Sequence, residues 1–66
     1  MSTRLGMMIR AEREAKRTTQ VELAKRAKVA RSYLVMLEKG ERKNPSFAIL
    51  KRLAKALGVP VTALLG

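Results

Sequence analysis

Apolar residues return along this chain at intervals of three and four, the period of helices that bury one face, and the strict alternation of a half-buried strand is absent. Over 5–16 the positions Leu5, Met8 and Ile9 share one side, and Glu12 falls on that same side. The first helix is therefore amphipathic but short of apolar residues. Thr19 is a good N-cap and Glu22 stands three residues on, the arrangement of a capping box, which predicts a second helix over 20–27. Leu23, Ala24 and Ala27 share its inner face, and Ala24 is small enough to let two short helices cross closely. A turn through Lys28 and Val29 leads to a third helix over 31–39, closed by Gly40 in the left-handed conformation of a C′ residue. At about 100° per residue, Ala30, Leu34 and Leu37 face one way and Ser32, Val35, Met36 and Lys39 the other, with Arg31 and Tyr33 on the flanks. This helix thus points Val35 and Met36 away from the only core it can join.

After a polar loop over 41–45, the stripe Phe47, Leu50, Leu53, Ala54 and Leu57 marks the clearest helix in the chain, over 46–57 and ended by Gly58. Residues 59–65 read as a short fifth helix with Pro60 at or near its first turn, where a missing N–H costs nothing. Gly6, Gly40, Pro45, Gly58, Pro60 and Gly66 punctuate the sequence into helix-sized pieces, with no repeat and no low-complexity segment. The expected architecture is all-α: five short helices joined by short loops, forming one domain over 1–66.

A chain of 66 residues is near the lower limit at which one hydrophobic core suffices. With no Cys and no His it cannot form a disulfide or an ordinary zinc site, and it lacks the usual thiol nucleophile and imidazole base. Its acids are Glu12, Glu14, Glu22, Glu38 and Glu41, each set among basic residues, so paired-carboxylate chemistry has nothing to build on. No enzyme activity, metal or cofactor is expected. The net charge of +10 is the footprint of a polyanion binder. Half of it, an excess of +5, lies between Lys25 and Lys43, where Lys25, Arg26, Lys28, Arg31, Lys39, Arg42 and Lys43 face only Glu38 and Glu41. No apolar run approaches the roughly 18 to 20 residues of a membrane span, and the amino terminus lacks a signal-peptide core. A soluble, non-exported protein is expected, cytoplasmic and associated with the nucleoid.

Two short helices joined by a tight turn, the second ending at a glycine, form a helix-turn-helix over about 19–39, in which the second helix lies in the major groove of DNA. The string TTQVELAKRAKVARSYLVMLEKGERKNPS, followed by LKRLAKALGVPVTALL, resembles the lambda-repressor and Cro-like (Xre-type) helix-turn-helix family over about 5–65. Several features carry the resemblance: the glutamine opening helix two, VELA, RSYL, the LEKG ending, NPS and LAKALGVP. It implies that Gln20 packs against the DNA backbone and supports the recognition helix, and that Arg31, Ser32 and Met36 reach base edges. By the same resemblance, Thr19, Tyr33, Lys39, Lys43 and Asn44 touch phosphates, while Arg13 and Glu38 match a partly buried salt bridge between helices one and three. The chain departs from the family pattern at Lys28, where a turn glycine is common, and at Thr18, where leucine is common. Ala30 replaces the usual Ser or Thr N-cap, a change that costs helices about 1 kcal/mol.

These readings predict a sequence-specific regulator of transcription, a repressor that binds double-stranded DNA. Lys and Arg around the motif supply salt-sensitive affinity, and the recognition helix supplies specificity. Arg31 is placed to contact guanine O6 and N7, while Val35 and Met36 offer apolar contact to thymine methyl groups. So small a domain grips few base pairs, which together with the resemblance predicts a homodimer on a palindromic operator with half-sites about one helical turn apart. Val61, Leu64 and Leu65 exceed what one short helix buries, and are the expected dimer contact. Alternatives are the DNA-binding antitoxin of a toxin pair, with a protein partner over one helical face, and a cationic membrane-active helix. RNA binding lacks a set of exposed aromatics, since the chain has one Tyr and one Phe.

Overall fold

The computed structural model describes residues 3–65 and consists of α1 (Arg4–Ala15), α2 (Gln20–Ala27), α3 (Arg31–Lys39), α4 (Phe47–Leu57) and α5 (Thr62–Leu65), with no strand among the described residues. Hydroxyl side chains start three of the helices. Thr3 Oγ1 accepts from the N–H of Gly6 at 3.0 Å, Thr19 Oγ1 from Glu22 at 3.1 Å, and Ser46 Oγ from Ile49 at 3.2 Å. The Glu22 carboxylate reaches back to the Thr19 N–H at 2.9 Å, completing the capping box. That bond first, and the Thr19 hydroxyl second, hold the Glu22 carboxyl below its ordinary pKa. At α3 the N-cap is Ala30, which is exposed rather than turned inward and gives no side-chain cap.

The first four helices close in one way. A residue in the left-handed region follows each, namely Arg17 (φ 51°), Lys28 (φ 58°), Gly40 (φ 83°) and Gly58 (φ 71°). The next N–H then returns to a carbonyl five residues back: Thr18 to Arg13, Val29 to Ala24, Glu41 to Met36 and Val59 to Ala54, all between 2.9 and 3.0 Å. Lys28, standing in the helix-turn-helix turn, accepts the left-handed conformation that a glycine takes without steric cost.

Ile9, Leu23, Leu34, Leu37, Leu53 and Leu64 are fully buried and, with Ala24, Ala27, Ala54 and Leu57, form one core. Helix α2 packs chiefly on α4, while α3 packs on α1 and α2, and α5 on α1. Four further expectations need correction. Gly6 is no break but lies inside α1, where the carbonyls of Leu37 and Glu38 come too close for any Cβ. Phe47 is 58% exposed rather than inward, because it is the first residue of α4 and projects past the core, with Lys51 Nζ 5.8 Å from its ring centroid. The fifth helix begins at Thr62, after Pro60, rather than at 59. Leu64 is 1% exposed, so the domain's own core consumes it and no side-chain surface remains for a dimer contact. The partner burying it is α1, more than fifty positions away in sequence.

Candidate nucleic-acid interface

What fixes α3 is a polar clamp on its inner side. Glu38 is 4% exposed and would be an expensive buried charge alone. Arg13 of α1 meets it through Nε at 2.7 Å and Nη2 at 3.0 Å, a two-bond pairing of guanidinium and carboxylate. The remaining guanidinium nitrogen is used too, since Nη1 donates to the Thr18 carbonyl at 3.0 Å. Hydrogen bonding to Glu38 raises the Arg13 pKa above its already high ordinary value, outweighing desolvation, so the guanidinium stays charged. Gln20, at the first position of α2, donates from Nε2 to Glu38 Oε1 at 3.2 Å. The Arg13–Glu38 pair thus ties together α1, the α1–α2 turn, α2 and α3. Among the described residues no buried side-chain polar atom lacks a partner.

Above the clamp lies a cleft of about 480 Å³ that brings Thr19, Gln20, Arg31 and Lys39 together with Arg10, Arg13, Val21 and Glu38. Arg31 and Ser32 are exposed at the start of α3, whereas Val35 and Met36 are half-buried, so the pair predicted to point outward does so only in part. Because Ala30 provides no cap, the first N–H groups of α3 are left to water or to an anion. Tyr33 is half-buried against the core, and Arg42, which sequence reasoning did not single out, sits with its guanidinium carbon 5.8 Å from the ring centroid. Lys43 and Asn44 lie apart from the cleft in the α3–α4 loop, where Asn44 adopts φ 57°, and they border a recess with Thr3, Leu5, Pro45, Leu50 and Leu65. Arg10 is the other cation missed from the sequence. Its partner Glu14, at 3.2 Å and one turn along an exposed face, gave it the look of an ordinary surface pair.

Among the described residues no cluster of His, Cys, Asp and Glu could hold a metal ion, and no helix is long and apolar enough to cross a membrane. A capped support helix, a tight turn, and a second helix with exposed Arg and Ser at its start define a helix-turn-helix module. The helix-turn-helix family model matches residues 9–64, and the chain belongs to that family, of the lambda-repressor-like, Xre type. The chain is 44% identical over 62 residues to the immunity repressor protein of Bacillus phage phi105, which covers 94% of this chain and 42% of that repressor. The crystal structure of SinR, the master regulator for biofilm formation, in complex with DNA superposes with a TM-score of 0.90 at 37% identity, covering 94% of this chain and 98% of that one. The restriction-modification controller protein C.AhdI from Aeromonas hydrophila gives a TM-score of 0.88 at 33% identity, covering 92% and 91%. The family is one of DNA-binding transcription regulators, not enzymes. The chain spans about half the length, 41–55%, of five curated relatives it matches and 72% of a sixth.

Proposed function

We propose that this chain binds double-stranded DNA by laying α3 in the major groove, and that it represses transcription as a homodimer on a two-fold operator. The observation that carries the reading is the clamp. Arg13, Glu38 and Gln20 fix the pitch of α3, while Arg31 and Ser32 at its start are exposed and have no polar partner among the described residues. In this arrangement Gln20 and Thr19 meet the phosphate backbone, and Arg31 and Ser32 meet base edges. Val35 and Met36 offer their outer portions to thymine methyls, and Tyr33, Lys39, Lys43 and Asn44 hold flanking phosphates. Repression follows the relative named as an immunity repressor.

Arg31→Ala and Lys43→Ala are expected to fail differently. Loss of a base contact removes about 1 to 3 kcal/mol of discrimination at one position of each half-site, so Arg31→Ala relaxes preference there. Loss of a phosphate contact weakens all duplexes alike, and Lys43→Ala flattens the plot of log affinity against log salt by about one unit per contact. Binding of both variants to selected and scrambled duplexes across a salt series separates the two roles. If Arg31→Ala weakens both duplexes equally and keeps the base preference, Arg31 is a phosphate clamp.

For the dimer, the burial of Leu64 leaves Leu65, which is 55% exposed, in a recess with Leu5 and Pro45 beside Lys43 and Asn44. Val61 lies elsewhere, in a groove against α4. The dimer seam therefore runs through Leu65 and next to the phosphate-holding loop. Selection of bound duplexes from a random pool should return two inverted half-sites with centres about one helical turn apart. A single unpaired half-site would remove the homodimer from the reading and leave its DNA contacts standing.

A further inference from the structure

The outer face of α4 carries a second recess, which shares no residue with the cleft at the start of α2 and α3. It is a groove of about 570 Å³ between α4 and the segment entering α5, floored by Ala48, Ala54, Val59 and Val61 and rimmed by Lys51, Arg52 and Lys55. The cationic rim continues around the helix, because Arg52 and Lys55 also border a recess with Arg26 and Lys28 at the end of α2. Among the described residues no carboxylate lines either recess. None of the three rim cations takes part in an ion pair among the described residues; Lys51 lies over the Phe47 ring, and Arg52 makes one long bond, 3.5 Å, to the Lys28 carbonyl.

We propose that this groove docks an acidic amphipathic helix of a second protein. Charge selects the partner. The rim offers three cations on adjacent turns of one helix face, and a partner helix flanked by carboxylates meets them along its length. The floor selects the form, since an apolar trough of small side chains accepts the leucine-like face of a helix. A phosphate backbone would use the rim but leave the floor without a partner. A second copy of this chain set face to face would oppose rim to rim. Four of its five glutamates are already engaged: Glu12 with Lys16, Glu14 with Arg10, Glu38 with Arg13, and Glu22 with the Thr19 N–H. Because the groove and the cleft share no residue, the partner and DNA are held at the same time.

The test is a titration of the isotope-labelled 66-residue chain, followed through its amide resonances. The probe is a synthetic helix of about 16 residues, long enough to hold its form, with leucines on one face and glutamates flanking them. Amide shifts should gather between 48 and 61. Lys51→Glu with Lys55→Glu, both exposed in the structure, should weaken the probe about tenfold or more and leave the helical circular-dichroism spectrum unchanged. Ala48→Glu, also exposed, offers an independent block of the floor if the double variant loses its fold. The same peptide with serine in place of leucine should fail to bind, and a short duplex should shift 19–39 instead. The proposal is overturned if the serine peptide binds as well as the leucine one, which would mark a plain polyanion surface. It is equally overturned if the duplex moves the groove resonances, or if the leucine peptide shifts only 19–39.

Discussion

Replacing Gly6 by alanine is expected to cost the domain about 3 kcal/mol or more, the upper range for overpacking, although the change adds one methyl group and removes none. The cause is backbone meeting backbone. A Cβ at Gly6 would fall inside van der Waals contact with the Leu37 carbonyl oxygen and 2.8 Å from that of Glu38. These are main-chain atoms in the last turn of α3, so no rotamer change relieves the contact. Either α1 lifts off the core, withdrawing Ile9, or α3 tilts and strains the bridge from Arg13 to Glu38. A domain this small has roughly 3–5 kcal/mol of stability to lose. Thermal melts followed by circular dichroism should show Gly6→Ala largely unfolded at temperatures where the parent is folded. A melting temperature within about 4 °C of the parent, the shift from less than 1 kcal/mol, would mean that α1 and α3 separate easily.

Arg13→Ala should destabilise the fold by about 3 kcal/mol, the lower end of the range for stranding a buried charge. The Glu38 carboxylate, 4% exposed, would keep only the Gln20 amide, and the Thr18 carbonyl would lose its donor as well. Glu38→Ala strands the Arg13 guanidinium less severely, since its side chain is 12% exposed and can turn toward water. The double variant should then lose less than the sum of the single losses, because removing the second partner also removes the unpaired charge. Urea unfolding of all four proteins gives the coupling directly. Strictly additive losses would show that the two residues stabilise the domain independently.

The boundaries of α2, α3 and α4 were legible because they are set locally. Thr19 with Glu22, and the glycines after α3 and α4, satisfy backbone groups within one turn, and any reader of the chain can count that distance. The residues misjudged are those decided by contacts distant in sequence. Periodicity puts Phe47 on the same stripe as Leu50, yet no neighbouring helix extends far enough to cover the first residue of α4. Leu64 looked free because a helix of four residues has no face of its own, and its burial depends on α1. Gly6 resembled a break because its reason for being glycine lies some thirty positions away in α3. The electrostatic character of the interface was plain from net charge, whereas the sorting of cations was not. Composition cannot tell that Arg10 joins the cleft while Lys51, Arg52 and Lys55 gather on another face.

The residues that clamp α3 and the exposed side chains at its start are different residues, although Arg31 borders the same cleft as Arg13, Gln20 and Glu38. If Arg31 and Ser32 read bases as proposed, substitutions there alter what is read without breaking the hydrogen bonds of the clamp. New sequence preferences can therefore be reached by single neutral steps in stability, with no compensating change elsewhere. Arg13, Glu38 and Gln20 have no such freedom, because Arg13 and Gln20 both bond to the one Glu38 carboxylate. Among descendants of this chain, divergence should concentrate at the outward start of α3 while the three tied positions change only together.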